Sequence, residues 1–263
     1  GYARRLAAEF EAEVQRAGAQ RVFAFILETV AGATLGAATP VPEYLRLIRD
    51  ICDRHDILLI LDEVMCGMGR TGTLWACEQE GVVPDIACIA KGLGAGYQPI
   101  GATLLSSRII DAVRESSGAF AHSHTYIGHP AACAGALAVQ RVLRERGLVA
   151  QVRARGDYFE RALRERFAEH PHIGDIRGRG LFRGVELVAD RAGKASFDPA
   201  LKIHAKLKAA AMAEGMLCYP MGGAADGARG DHVLLAPPFI VSEAQLDEIV
   251  EKLARAVKGV TGV

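Results

Sequence analysis

No stretch of this 263-residue sequence runs to about 18 apolar residues, the length a membrane-crossing helix needs, so no membrane span is expected. Neither sign of charge is in excess. Lys and Arg number 31 and Asp and Glu number 31, which argues against a sequence-independent nucleic-acid binder, because such proteins carry a basic surplus. Residues 1–12 are charged and lack the apolar core of a secretory signal. The six cysteines, at positions 52, 66, 77, 88, 133 and 218, include no C-x-x-C pair, and their spacing makes neither a metal site nor a disulfide framework. Free thiols in a chain of this size predict a reducing, cytoplasmic setting. Low-complexity segments, linkers and internal repeats are missing too, and charge of mixed sign speaks against disorder. What is plentiful is apolar side chain. Half of the residues are hydrophobic, enough to build one large or two modest domains with a sizeable core.

The first half alternates short apolar runs with helical spacing. Residues 22–27 (V-F-A-F-I-L) run apolar into Glu28, and residues 57–61 (I-L-L-I-L) run into Asp62 and Glu63. Between them, residues 42–54 place Leu45, Ile48, Ile51 and Cys52 at helical spacing behind a proline suited to a first turn. Such a strand–helix–strand unit builds a parallel sheet buried on both faces. Residues 85–90 and 102–105 read as further strands, the former ending at Lys91. Helices are predicted over 130–146, with Gly147 as the stop, and over 151–167. The texture then changes to short strands at 173–176 and 181–188, a helix at 200–214, and strands at 216–219 and 233–236. Ser242 with Gln245 makes a capping box ahead of a helix whose Leu246, Ile249, Val250, Leu253 and Val257 share a face. The expected fold class is α/β: a mainly parallel domain over residues 1–146, then a smaller α+β domain over residues 147–263.

Ligands of open parallel sheets sit beyond the carboxyl ends of the strands. Glu28, Asp62 and Lys91 stand at such ends. A lysine there is suited to imine chemistry with a carbonyl, although a lone lysine after a strand more often leads a turn into solvent. A carboxylate ending the neighbouring strand changes the odds. Pyridoxal phosphate requires this combination: a lysine for its aldehyde and an acid for its ring nitrogen.

Five segments in order, L-L-I-L-D-E-V-M-C-G-M-G-R-T-G (58–72), G-V-V-P-D-I-A-C-I-A-K-G-L (81–93), H-T-Y-I-G-H-P-A-A-C-A-G-A (124–136), R-G-R-G-L-F-R-G-V-E-L (177–187) and A-P-P-F-I-V-S-E (236–243), resemble class III aminotransferases, a fold-type I pyridoxal-phosphate family. The resemblance implies that Lys91 forms the internal aldimine and moves the substrate proton, and that Asp62 keeps the pyridine nitrogen protonated. It implies that Val64, expected to share a face with Asp62 in an extended segment, packs on the ring. Thr125 resembles the hydroxyl that binds the cofactor phosphate from the partner subunit, and Glu28 the glutamate near the cofactor. Thr29 stands where the family usually has proline. The family's active sites are shared between subunits, so a homodimer is implied.

The family's chains extend further at the N-terminal side. There lie a Gly-Ser-rich phosphate cradle at a helix start and an aromatic–His–Gly segment that stacks on the cofactor. Both are expected to be outside this chain, along with strands flanking four central ones of a seven-stranded sheet. Gly32-Ala33 stands where ornithine- and 4-aminobutyrate-type members carry glutamate. That points to an amine or ω-amino acid donor with pyruvate or a similar 2-oxo acid as acceptor. Arg229 matches the region of a mobile arginine that takes the substrate carboxylate, with a solvated loop arginine as the plain alternative.

The expected activity is transamination. An aminomutase or decarboxylase of the same family stays open, as does an inactive fragment or interaction module. Gly67-x-Gly69-x-x-Gly72 matches a dinucleotide fingerprint, but Asp62 and Glu63 just upstream would repel a pyrophosphate and no ribose-binding acid follows at the right distance, so a nucleotide-dependent oxidoreductase is disfavoured. His122 and His124 have no further metal ligand at a useful spacing, so no metal is expected.

Overall fold

The computed structural model describes residues 1–263, which form two compact units. The first comprises residues 1–29, 40–69 and 73–146, and the second residues 30–39, 70–72 and 147–263. The first contains α1 (Tyr2–Ala17), β1 (Ala24–Glu28), α2 (Tyr44–Arg54), β2 (Leu58–Asp62), β3 (Ile86–Ile89), β4 (Ala102–Leu105), α3 (Ser107–Glu115) and α4 (Pro130–Glu145). Its strands lie in the order β1-β2-β3-β4. The first three run parallel, as the strand–helix–strand pattern predicts. β4 runs antiparallel to β3. The segment joining them holds only one short 3₁₀ turn, Lys91–Leu93, and a parallel return needs a longer crossover, usually a helix.

In β2, Leu59 and Leu61 are fully buried while Leu58, Ile60 and Asp62 are half-buried. The packed face meets Leu45, Ile48 and Cys52 of α2 and Val14 of α1 in one apolar cluster. Asp85 locks the register from below. Its Oδ2 accepts the Leu59 N–H and the Arg49 guanidinium, each at 2.8 Å. Burial pushes the Asp85 carboxyl up, but those donors outweigh it and hold the group below its ordinary value. α1 and α3 are not among the expected helices, although each has an apolar face at helical spacing. α1 buries Ala3, Ala7 and Val14 with Phe10 packed beside them, and α3 sets its half-buried Ile109, Ile110 and Val113 on one face while burying no residue fully.

The second unit contains α5 (Leu148–Arg166), β5 (Ile173–Arg179), β6 (Phe182–Leu187), α6 (Ile203–Ala213), β7 (Tyr219–Gly222), β8 (Asp231–Leu235) and α7 (Glu243–Thr261). Its antiparallel sheet has the order β5-β6-β8-β7. Phe159 and Leu163 of α5, Leu207 of α6 and Leu246 and Leu253 of α7 pack with Val185, Leu187 and Val233 of the sheet. The strand expected at 216–219 lies instead at Tyr219–Gly222. Residues 216–218 carry the chain away from Gly215 at the end of α6, and pairing with β8 begins only at Tyr219 opposite Leu234. The capping box of α7 is formed, with Ser242 Oγ accepting the Gln245 N–H at 3.2 Å and Gln245 Oε1 accepting the Ser242 N–H at 2.9 Å. Residues 30–39 dock on this sheet: His232 Nε2 donates to the Ala33 carbonyl at 2.8 Å and Arg177 Nε to the Gly36 carbonyl at 2.9 Å. No helix is long and apolar enough to cross a membrane.

Candidate active site

Parallel pairing puts Glu28, at the end of β1, directly opposite Asp62, at the end of β2, and Asp62 opposite Cys88 of β3. Antiparallel pairing then sets Thr103 of β4 opposite Cys88. Residues paired across a sheet point to the same side, so Glu28, Asp62, Cys88 and Thr103 form one row on the more open face. Cys88 and Thr103 escape a reading of the sequence, because only the register of β3 and β4 brings them level with Asp62.

Lys91 follows β3 by two residues and opens the 3₁₀ turn Lys91–Leu93. Its backbone is left-handed, with φ of 41°. A non-glycine residue there is strained, and such strain persists where packing over-determines it. The packing is visible at Gly92: a Cβ on that residue would lie 2.9 Å from Met68 Cβ. The Lys91 side chain is exposed, as the plain solvated reading expected, and Nζ makes no hydrogen bond or ion pair within the chain.

Asp62 is half-buried. Its Oδ1 accepts the Val64 N–H at 2.9 Å, and Oδ2 accepts no hydrogen bond within the chain. That bond corrects the expectation for Val64. The residue lies in a turn rather than an extended segment, because the aspartate side chain captures the N–H two residues on. Val64 is nevertheless half-buried beside Asp62. Asp62 and Lys91 close neighbouring parallel strands at the same end of the sheet, and they form no ion pair with each other. A carboxylate oxygen and an amine, both unspent and separated, suit a ligand that is cationic at one end and carbonyl-bearing at the other.

Glu63 is the residue the sequence did not reveal. It is fully buried, and its carboxylate accepts the Thr29 hydroxyl at 2.8 Å and the Ala76 and Cys77 N–H groups at 2.7 and 2.9 Å. Burial, then the neighbouring Glu63 charge, pushes the Cys77 thiol up to about 12. The only signal available was the second acid of the Asp62-Glu63 pair closing an apolar run.

Thr125 stands in an exposed turn, and its hydroxyl makes no hydrogen bond within the chain. Its neighbours His124 and Tyr126 line an open cavity of ≈ 610 Å³ with Gln98, Ile100, His129 and Cys133. In the second unit, Arg229 is exposed and its Nε donates to Asp226 Oδ2 at 2.7 Å. The Arg229 backbone N–H and then its guanidinium hold the Asp226 carboxyl down to about 2.

Residues 2–257 match the family model for class III aminotransferases. The chain belongs to that family. An uncharacterized aminotransferase of Schizosaccharomyces pombe is 48% identical over 256 residues, which cover 97% of this chain and 56% of that protein. A diaminobutyrate–2-oxoglutarate transaminase of Halomonas elongata is 35% identical over 264 residues, 99% of this chain and 55% of that protein. Among solved structures, an (S)-enantioselective omega-transaminase from Thermomicrobium roseum superposes with a TM-score of 0.91 at 38% identity, covering 98% of this chain and 56% of its own. The class III chain described here thus spans about half the length of the curated relatives it matches. Its α/β architecture is that of fold-type I transaminases.

Proposed function

We propose that the protein is a pyridoxal-phosphate-dependent aminotransferase that moves an amino group from an amine or ω-amino acid to a 2-oxo acid such as pyruvate. The observation that carries this reading is the pair of unspent groups, Asp62 Oδ2 and Lys91 Nζ, at the ends of adjacent parallel strands. Residues 1–146 would then be part of the cofactor-binding large domain and residues 147–263 the C-terminal small domain. Bound pyridoxal phosphate supplies an electron sink and an amine carrier. Asp62 holds a proton on the cofactor's ring nitrogen by offering it a negative charge. Val64 supplies apolar surface against the ring, and Glu28 borders the same side of the sheet. Lys91 would hold the cofactor through Nζ and would carry a proton there whenever that amine is free. Thr125 offers a hydroxyl to a phosphate, and Arg229 a guanidinium to a substrate carboxylate once it leaves Asp226.

Relatives named for different substrates, such as 4-aminobutyrate, diaminobutyrate and vanillin, match this chain at 35% to 36% identity, so identity does not choose the donor. The preference for pyruvate rests on Gly32-Ala33 alone. Homodimerisation rests on the family, and a cytoplasmic setting on six unpaired cysteines. The test is direct. Full-length protein loaded with pyridoxal phosphate, given an amine donor and pyruvate, should form alanine without releasing carbon dioxide. Borohydride reduction should leave the cofactor on the peptide containing Lys91, and a label on any other lysine overturns the site assignment.

A further inference from the structure

Thr29 is a buried polar residue directly after β1, and it reaches the neighbouring strand end in two ways. Its N–H donates to the Asp62 carbonyl at 3.4 Å, and its hydroxyl donates to Glu63 Oε1 at 2.8 Å. The peptide joining Asp62 to Glu63 is held from the other side as well, since the Glu63 N–H donates to the Cys88 carbonyl at 2.9 Å. Glu63 itself has no cationic partner. Its remaining bonds come from the Ala76 and Cys77 N–H groups, with Cys66 Sγ 3.8 Å from Oε2. A buried carboxylate without a counter-ion depends on every neutral donor it has. The Thr29 hydroxyl is the one side-chain oxygen donor in this set, and it is the link that ties the end of β1 to the Glu63 side chain.

We propose that Thr29 is a positioning residue: by bridging to Glu63 and to the Asp62 backbone, it fixes the direction in which Asp62 presents its free oxygen to the ring nitrogen of a bound pyridine cofactor. The proposal rests on the preceding reading of Asp62. Without the hydroxyl, Glu63 Oε1 keeps only the Cys77 N–H, and the carboxylate can pivot about Oε2, which the Ala76 N–H still holds. The peptide that carries Asp62 turns with it. Asp62 is then presented off-line although its own chemistry is unchanged, as happens when an outer hydrogen-bond partner of a ligand site is lost.

The experiment titrates full-length apoprotein with pyridoxal phosphate and follows both the dissociation constant and the absorbance maximum of the bound cofactor, for Thr29→Val, Thr29→Ser and Asp62→Asn. Thr29→Val should weaken cofactor binding roughly tenfold, the low end for loss of an outer partner, and should move the absorbance maximum. Thr29→Ser should restore both values. A role confined to stability would lower the melting temperature while leaving the absorbance maximum in place. If Asp62→Asn loses affinity while Thr29→Val binds within twofold of the parent and absorbs at the same wavelength, the Thr29 assignment alone is overturned. If Asp62→Asn changes neither value, the underlying cofactor reading fails instead. Should the valine variant not fold, as judged by circular dichroism, Thr29→Ala set against Thr29→Ser makes the same comparison.

Discussion

Lys91 and Asp62 stand out in the sequence because each is a charge that ends an apolar run, and that contrast survives without any coordinates. The residues that support them lacked such contrast. Thr29 and Glu63 bond across 34 positions of sequence, and Gly92 shows its use only where Met68 closes on it. Lys91→Ala should abolish transamination while leaving unfolding by urea within about 0.5 kcal/mol of the parent, the usual range for an exposed side chain without partners. Near-normal turnover in that variant would count against the mechanism. Gly92→Ala must push Met68 aside, since the new Cβ would sit 2.9 Å from Met68 Cβ. The expected loss is about 1–3 kcal/mol in urea unfolding, together with weaker cofactor binding as the turn carrying Lys91 shifts. Among the thiols, burial pushes Cys52 and Cys218 up to about 11 and Cys77 up to about 12. Cys133 is exposed. A thiol reagent at pH 8 should therefore modify Cys133 first in the native chain and spare those three until unfolding, because thiolate is the reacting form.

At the scale of elements, periodicity served for α2 and α7, while α1 and α3 went unassigned although each has an apolar face. α2 and α7 carry unbroken buried stripes, Leu45, Ile48 and Cys52 in one and Leu246, Val250, Leu253 and Val257 in the other. α1 has such a face too, Ala3, Ala7, Phe10 and Val14, set among charged residues. β7 shows a different limit. The sequence predicts the strand at residues 216–219, and hydrogen bonding to β8 places it at Tyr219–Gly222. Where a local signal has a stereochemical basis, its energy can be forecast. Ser242→Ala removes the side-chain acceptor for the Gln245 N–H and should cost about 1 kcal/mol in urea unfolding, with Ser242→Asp close to the parent. A variant as stable as the parent after truncation to alanine would show that the cap carries no weight. Gly184 marks a contact that no local rule anticipates. A Cβ there would meet the Gly36 carbonyl oxygen at 1.9 Å, so the docking of residues 30–39 on β6 requires glycine at this place.

Across the whole molecule the balanced charge hides buried ionisable groups whose titration sets the pH response. Burial holds the His232 imidazole below its ordinary value, against the opposing pull of the Ala33 carbonyl, and burial likewise lowers His170. The unfolded chain then binds more protons than the folded one, so both groups contribute stability that is complete above a pH of about 6.5, the unfolded histidine value. It is lost as pH falls from there through the folded values. Urea midpoints should therefore decline between pH 7 and pH 5, and His232→Gln should flatten part of that decline. A midpoint independent of pH over this range would overturn the assignment. Asp85 and Glu160 are also held below their ordinary values, net of the burial that opposes this. Their contribution has the same sign and lies lower. It is present above a pH of about 4, the unfolded carboxyl value, and is lost as pH falls through the folded values.

Strand-forming runs, the helix cap at Ser242 and the charged strand ends are properties of neighbours in the chain, and the sequence by itself determined them. The order of family motifs is written there too. The tertiary structure alone decided the reversed direction of β4 and the row formed by Glu28, Asp62, Cys88 and Thr103. It also decided the burial of Glu63 among donors from two distant segments, Thr29 and Ala76–Cys77. Each of these depends on pairing register or on closure between distant residues, and the free energy of such contacts exists only once the chain has brought both sides together.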